Sequence, residues 1–283
     1  MRDLTIFDSV DEFITTAKNE PSNVGSPRMN ESRKSPSQRW DLGVGLDGAF
    51  QLAETGWPEG AKKIKEAMDR IEEIAKPKTY RQDCTWKHDG GAFVDVAKFL
   101  GGEQECFVEF RPPEEPKKPI KIFVSLAAAF HVSSSTMVRR GAAVGAALDL
   151  LEAEGYLVEL WGIIDGVSGG GKCTQLIKIK DTDQPLDLDR LAYLMVHPAF
   201  FRRIWFAYCD QLDPNSRRSY GFILGEGYGS VISTSSEFLK EIESDLHFES
   251  LRSSSEFETE EAAGEEVSGI LRGHGFLEQE ETV

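Results

Sequence analysis

Apolar residues recur at helical spacing at the start of the chain, where Leu4, Phe7, Val10, Phe13, Ile14 and Ala17 share one face and predict an amphipathic helix within residues 1–18. Residues 19–39 break that pattern. Three prolines and five serines with hardly an aliphatic side chain predict a flexible linker, because too little apolar surface is present to offset its ordering entropy. A helix tethered in this way is expected to dock, either on its own body or on a partner. Order is expected to resume at Trp40, with a short helix near 47–55, a turn at Gly56 and a longer helix from Pro58 to Ala75 that Pro77 closes. Residues 92–100 and 106–110 are short apolar stretches. Pro112, Pro113, Pro116 and Pro119 then form a stiff connection that a sheet interior does not accommodate.

The clearest pattern starts at Ile120. IKIFVSL reads as a buried strand, and a helix over 137–154 follows with Met137, Gly141, Val144, Leu148 and Leu151 on one stripe and small residues beside it. Gly155 ends that helix, and YLVELWGII completes a right-handed parallel strand–helix–strand unit. After the loop DGVSGGGK, the stretch CTQLIKIK predicts a third, antiparallel strand. Two further helices are expected over 187–195 and 198–211, the second with Phe201, Ile204, Trp205 and Tyr208 at helical spacing. GFILG and SVIS read as short late strands, and 236–247 and 258–273 as terminal helices. The fold class is therefore α/β: a mixed, Rossmann-like sheet with flanking helices over 104–235, preceded by a helical region over 40–103 and followed by an acidic helical tail over 236–283.

Charge narrows the function classes. The chain of 283 residues carries 32 Lys and Arg against 48 Asp and Glu, a formal charge of -16, of which -11 lies in residues 235–283. That balance disfavours a basic-patch nucleic-acid binder and a binder of anionic lipid. Nucleic-acid contact through the body stays as a second alternative, resting on Arg39, Lys62, Lys63, Arg139, Arg140, Arg202, Arg203, Arg217 and Arg218. The tail is expected to act as a tethered polyanionic surface that masks a basic patch or steers a basic partner. Serine-rich 249–260 is expected to be loosely held, so that proteolysis cuts in 19–39, then near 249–260, and leaves a core from Trp40 to Ile232. Cys84, Cys106, Cys173 and Cys209 are widely spaced, as reduced cytosolic thiols are. The N-terminal residues have no basic flank and unbroken apolar run of a signal peptide, and no apolar run reaches the ~18 residues of a membrane span.

Several local patterns carry chemistry. Gly166 to Lys172 fits G-x-x-x-x-G-K with Gly171 before the lysine, and beside Asp165 it makes a nucleotide-binding protein or hydrolase the first alternative function. Against it, Cys173 stands where a hydroxyl would bind Mg²⁺, and the following residues alternate like a strand instead of opening a helix. Gly43, Gly45 and Gly48 fit G-x-G-x-x-G without a preceding strand and read as a turn, as do Gly225, Gly227 and Gly229. Cys84 and His88, with Cys106, have no close cysteine pair to support a zinc site. Ser133, Ser134, Ser135, His131 and Asp165 fall on loops at one edge of the sheet but carry no spacing of a catalytic triad. His197 before Pro198 reads as a helix start, with Arg202 and Arg203 solvated opposite the aromatic stripe; an anion site at His197 and an arginine is the alternative. The candidate interaction edge is thus Ser133, Ser134, Ser135, Asp165, His197 and Arg202, with no catalytic residue, cofactor or metal assigned.

The helix-linked parallel pair followed by an antiparallel strand resembles a von Willebrand factor A-like domain. That family places D-x-S-x-S after its first strand to hold a divalent metal. Here AAAFHVSSST stands there and no carboxylate occurs between Pro116 and Asp149, so the resemblance implies a metal-free domain. The stretches WDLGVGLDGAFQLAETGWPEGAKKI, RRGAAVGAALDLLEAEGYLVELWG and PLDLDRLAYLMVHPAFFRRIWFA resemble a family of uncharacterised proteins of tailed bacteriophages and prophages over residues 40–235. The segment Gly56-Trp57-Pro58-Glu59-Gly60 is its most recognisable part. That likeness implies a host bacterial cytoplasm or a virion, with the arm and tail as additions. Together these readings predict a soluble, non-enzymatic protein whose partner is another phage or host protein.

Overall fold

Ile120–Ser125, Ser134–Ala153 and Val158–Ser168 form the strand, crossover helix and parallel strand that the hydrophobic pattern predicts. The computed structural model describes residues 2–19, 36, 38–75, 84–87, 93–94, 98–99, 101–102, 106–110, 119–129, 131–168, 171–211, 233–253, 255 and 257–277. In chain order the described elements are β1 (Arg2–Phe7), α1 (Val10–Lys18), the one-turn α2 (Gln38–Asp41), α3 (Gly45–Thr55), α4 (Pro58–Ala75), β2 (Cys84–Lys87), β3 (Phe93–Val94) and β4 (Phe107–Phe110). They continue with β5 (Ile120–Ser125), α5 (Ser134–Ala153), β6 (Val158–Ser168), β7 (Gly171–Lys180), α6 (Leu188–Val196), a π-helical turn (Phe200–Trp205) running into α7 (Phe206–Gln211), α8 (Ser236–Glu241), β8 (Leu246–Phe248) and α9 (Glu260–Gly273). The linker residues 20–35, GFILG, Arg217 and Arg218, and the Gly225–Gly229 turn lie outside the described residues.

The main sheet has the order β1-β7-β6-β5-β8. β5 runs parallel to β6 and β8, β7 is antiparallel to β6 as the short connection predicts, and β1 is parallel to β7. On one face Ile122, Val124, Leu160, Ile164 and Ile177 enter the large core, while Phe123, Ile163 and Leu176 on the other face pack under Phe238 of α8. A separate three-stranded antiparallel sheet has the order β2-β4-β3. Residues 40–103 are therefore not wholly helical, and 107–110 belongs to this small sheet instead of opening the α/β unit.

Strands from outside 104–235 join the main sheet at both edges, β1 from the N-terminal region and β8 from the C-terminal region. Residues 2–7 are a strand and only Val10–Lys18 is helical, starting at Ser9, whose hydroxyl accepts from the Glu12 N–H. Alternation decides this: Phe7 is buried, whereas Leu4 and Ile6 are 37% and 53% exposed on the opposite side. The arm docks on its own body through edge-to-face and tilted contacts of Phe13 with Phe7, Phe200 and Tyr208 at 5.1–5.9 Å. At the other end, α8 is shorter than expected, because Leu246 and Phe248 alternate inward as β8 and complete the edge of β5. In α9, Ala263, Val267 and Leu271 are buried while Glu261, Glu265 and Glu266 face solvent. Leu251 is also buried, and its carbonyl accepts from the Ala129 N–H at 2.8 Å, so the segment after β8 is fastened to the body instead of loose.

The glycines of α5 face the helical layer and not the sheet alone. A Cβ on Gly141 would lie 3.0 Å from Ile64, and one on Gly145 would lie 2.7 Å from the Met68 sulfur, so α4 approaches the backbone of α5 directly. The turn between α3 and α4 is equally tight. Gly56 has φ of 76°, and a Cβ there would lie 2.4 Å from Asp189. The Trp57 N–H donates to the Asp189 carbonyl at 2.9 Å, and the Trp57 ring covers Gly60 so closely that a Cβ would sit 2.1 Å from it. The recognisable Gly-Trp-Pro-Glu-Gly segment is therefore a clamp between the α3–α4 turn and the start of α6.

A chain ending before Ser236 lacks β8 and α9, so it is expected to lose cooperative thermal unfolding instead of leaving a stable core to Ile232. Leu271→Ala in the full chain should cost about 3 kcal/mol in urea unfolding, the usual loss for truncating a buried leucine. An unchanged midpoint would place α9 outside the cooperative unit.

Candidate functional site

The C-terminal ends of the parallel strands β5, β6 and β8 meet at one edge, where ligands of open α/β sheets are held at the point of strand-order reversal. Here that point lies between β5 and β8, since the chain leaves β5 toward β6 on one side and returns as β8 on the other. Arg140, 2% exposed on α5, fills it. Its Nη2 donates to the carbonyls of Ser125 at 2.7 Å, Phe248 at 3.2 Å and Glu249 at 2.5 Å. Strand ends leave carbonyls without ladder partners, and a guanidinium satisfies several at once.

Ser133, Ser134 and Ser135 open α5 just after β5, and Ser133 is engaged in the cap. Ser133 caps α5: its hydroxyl accepts from the Thr136 N–H at 3.1 Å and lies 2.9 Å from the hydroxyls of Ser135 and Thr136. Ser134 and Ser135 are exposed, as is His131. Asp165, near the end of β6, accepts from Thr174 at 2.5 Å and from Thr234 at 2.8 Å. Among the described residues no group of three His, Cys, Asp or Glu side chains is arranged to hold a metal ion. The side chain of Cys84 and all of His88 lie outside the described residues, and Cys106 is buried as a free thiol.

The Gly166–Lys172 segment runs as strand on both sides of Gly169 and Gly170, which lie outside the described residues. β7 begins at Gly171, with Lys172 paired opposite Val167. No helix N-terminus opens at Lys172, so the amides that hold phosphates in that motif are not presented there.

His197 and Arg202 belong elsewhere, in a cluster around Asp41 within the helical layer. Asp41 is fully buried and accepts from the N–H groups of Gly43 and Gly45 at 3.0 and 3.1 Å, which makes the Gly43–Gly48 pattern a turn, as expected. Arg203 donates to the same carboxylate at 2.6 Å with its side chain 2% exposed. It is therefore not a solvated arginine, because the π-helical turn rotates it inward toward Asp41. Arg202 is half-buried. Of the basic set considered for nucleic acid, Arg140 and Arg203 are internal and Arg139 Nε donates to the Phe257 carbonyl, whereas Lys62 and Lys63 are exposed. His197 is buried and its Nδ1 accepts from the Ala199 N–H at 3.2 Å, while the Trp57 ring meets it edge-on at 4.8 Å. Burial holds the His197 imidazole at about 4, against a partial upward pull from Asp41.

The sequence reading missed His247. It sits between Leu246 and Phe248 on β8 with its side chain 8% exposed, and its Nε2 has no hydrogen-bond partner among the described residues. Its Nδ1 lies 3.7 Å from Glu249 Oε1. Burial and the Arg140 charge lower the imidazole to about 4, opposed by Asp165. His247 lines a cavity of about 400 Å³ with Arg140, Arg252, Phe257 and Glu266. Strand alternation turns His247, paired with Phe123, to the face opposite Leu246 and Phe248, and a three-residue strand leaves no sequence signal that this face is covered.

Both buried histidines are neutral in the folded chain at pH 7 and protonate near 6.5 when unfolded. The unfolded state thus binds more protons between pH 6.5 and 4, and stability is full above 6.5 and falls as pH drops through that window. The expected slope is about 1.4 kcal/mol per pH unit for each histidine, read from urea midpoints between pH 4 and 7. His197→Gln should flatten that limb; a limb unchanged in His197→Gln would contradict the buried neutral state.

A family model described as Domain of unknown function (DUF7192) matches residues 2–278. No curated protein and no solved structure matches the chain. The matched span takes in β1 and α9, so arm and tail are parts of the family unit and not additions to it, and the chain belongs to the DUF7192 family.

Proposed function

We propose that the chain is a phage-encoded, non-enzymatic protein-interaction module built on a metal-free von Willebrand factor A-like domain, working in a host bacterial cytoplasm or in a virion. The observation that carries this reading is the guanidinium of Arg140 on the carbonyls of Ser125, Phe248 and Glu249. A fixed cation at the switch point repels a divalent metal and occupies the crevice in which such folds do chemistry. The helix-linked parallel pair and the antiparallel β7 support the von Willebrand factor A-like reading, and the Gly56–Gly60 clamp supports the phage likeness. What the edge still offers outward is the exposed pair Ser134 and Ser135 beside His131, a small polar surface suited to a protein partner.

Calorimetric titration with Mg²⁺, Mn²⁺ and Ca²⁺ is expected to show no site tighter than about 100 μM, the weak end of ordinary protein sites. A tighter site lost on Ser133→Ala would overturn the metal-free reading. Affinity purification from infected cells should recover a partner that Ser134→Arg with Ser135→Arg no longer retains, at unchanged thermal midpoint. ATP and GTP are expected not to bind; nucleotide affinity abolished by Lys172→Ala would favour a hydrolase instead.

A further inference from the structure

β1 forms one edge of the main sheet, and among the described residues no strand pairs with its outer side. Edge strands expose backbone N–H and C=O groups, which folds usually guard by shortness, proline, charge or a bulge. β8, at the opposite edge, is guarded by its length of three residues. β1 pairs with β7 without a register shift from Arg2 to Phe7, and its stretch Leu4-Thr5-Ile6-Phe7 holds no proline and no charge. Leu4 and Ile6 add apolar surface to that open edge, at 37% and 53% exposure.

The pleat and the sequence narrow what can pair there. Phe7 turns toward the helical layer, so Leu4 and Ile6 turn to the other face, where Ile6 neighbours Leu176 of β7 and, beyond it, Ile163 of β6. A second copy meeting β1 edge to edge is related by a two-fold axis perpendicular to the sheet, so the strands run antiparallel and one residue sits opposite its own copy. With Leu4 on the axis, Ile6 falls opposite Arg2; with Ile6 on the axis, Leu4 falls opposite Asp8. Each of these sets an apolar position against a charged one. With Thr5 on the axis, Leu4 falls opposite Ile6 twice and the Arg2 position falls opposite Asp8 twice, so apolar meets apolar and basic meets acidic. Asp3 then falls opposite Phe7, whose ring is already covered by Phe13 and Tyr208 of its own chain.

We propose that the chain forms a two-fold dimer through β1, which joins two five-stranded sheets into one continuous sheet with Thr5 on the axis. The contact uses neither Ser134 nor Ser135 and does not rest on the interaction reading. A single strand pair buries less than about 1,200 Å², the range of weak and reversible contacts, so a Kd of about 10–100 μM is expected.

The test is sedimentation equilibrium of the full chain from about 1 to 500 μM, a range that brackets this affinity. The parent should pass from monomer to dimer. Leu4→Lys with Ile6→Lys sets like charges directly opposite each other and should weaken the dimer by about tenfold or more. Leu4→Glu with Ile6→Lys sets opposite charges at the same two positions and should dimerise within about threefold of the parent, because only this register makes them partners. Leu4 and Ile6 are exposed, so both variants should keep the parent's thermal midpoint. A parent that stays monomeric throughout would overturn the proposal. So would a dimer that the double lysine variant leaves intact, or loss of the dimer in both variants alike.

Discussion

The confinement of α5 governs this structure. One helix lies against the sheet on one side and against α4, α6 and α9 on the others, and residues from Arg140 to Leu148 are buried without interruption. A helix surrounded on all sides cannot present a polar face, and its neighbours can pack at close range only where its side chains are small. Gly141 and Gly145 meet Ile64 and Met68, and Ala142, Ala143, Ala146 and Ala147 are buried beside them. That requirement explains a stripe which, taken alone, reads as a simple helix-on-sheet contact. It also fixes the length and position of α4, hence the tight turn at Gly56, and through Asp189 the start of α6.

Two buried arginines lie near the ends of this helical stack. Arg140 answers strand-end carbonyls and Arg203 answers Asp41, which in turn organises the turn into α3. Each satisfies buried oxygen acceptors with a fixed charge. An ion pair such as Asp41–Arg203 is a weak source of net stability, because desolvation offsets attraction, yet removing one partner leaves a bare charge. Such groups therefore act as registers: they specify how α2, α3 and the π-helical turn meet more than how tightly they do.

How much of this was legible follows from which signals are local. The strand–helix–strand unit, the antiparallel β7 and the helix Pro58–Ala75 were readable because apolar period, proline and glycine punctuation agree there. β1 was not, since Leu4, Phe7 and Val10 fit a helix as well as a strand, and only the exposed edge of β7 chooses between them. β8 failed for the same reason: a three-residue strand carries almost no pattern, and its identity comes from the partner strand β5. Among the residues of the candidate edge, Ser133 and Asp165 lie near the strand ends, whereas His197 and Arg202 lie in the helical layer; the π-helical turn shifts the helical phase from which Arg202 and Arg203 read as solvated. Arg140 and His247 are buried by neighbours far away in sequence, Phe248 and Arg140 respectively, and no spacing could announce them.

The acidic C-terminal region shows why net charge is a poor guide to architecture. Glu237 and Glu241 of α8 and Glu261, Glu265 and Glu266 of α9 face solvent, while Phe238, Val267 and Leu271 on the same two helices are buried, so charge and core membership share the same elements. Charge density sets solubility and long-range field; burial pattern sets membership in the core. A segment carrying both properties cannot be a detachable polyanionic tail, because releasing its charge would uncover the edge of β5 and one wall of α5 together. The field it projects is therefore fixed in direction relative to the Ser134–Ser135 surface, and any partner of that surface meets that field in one orientation.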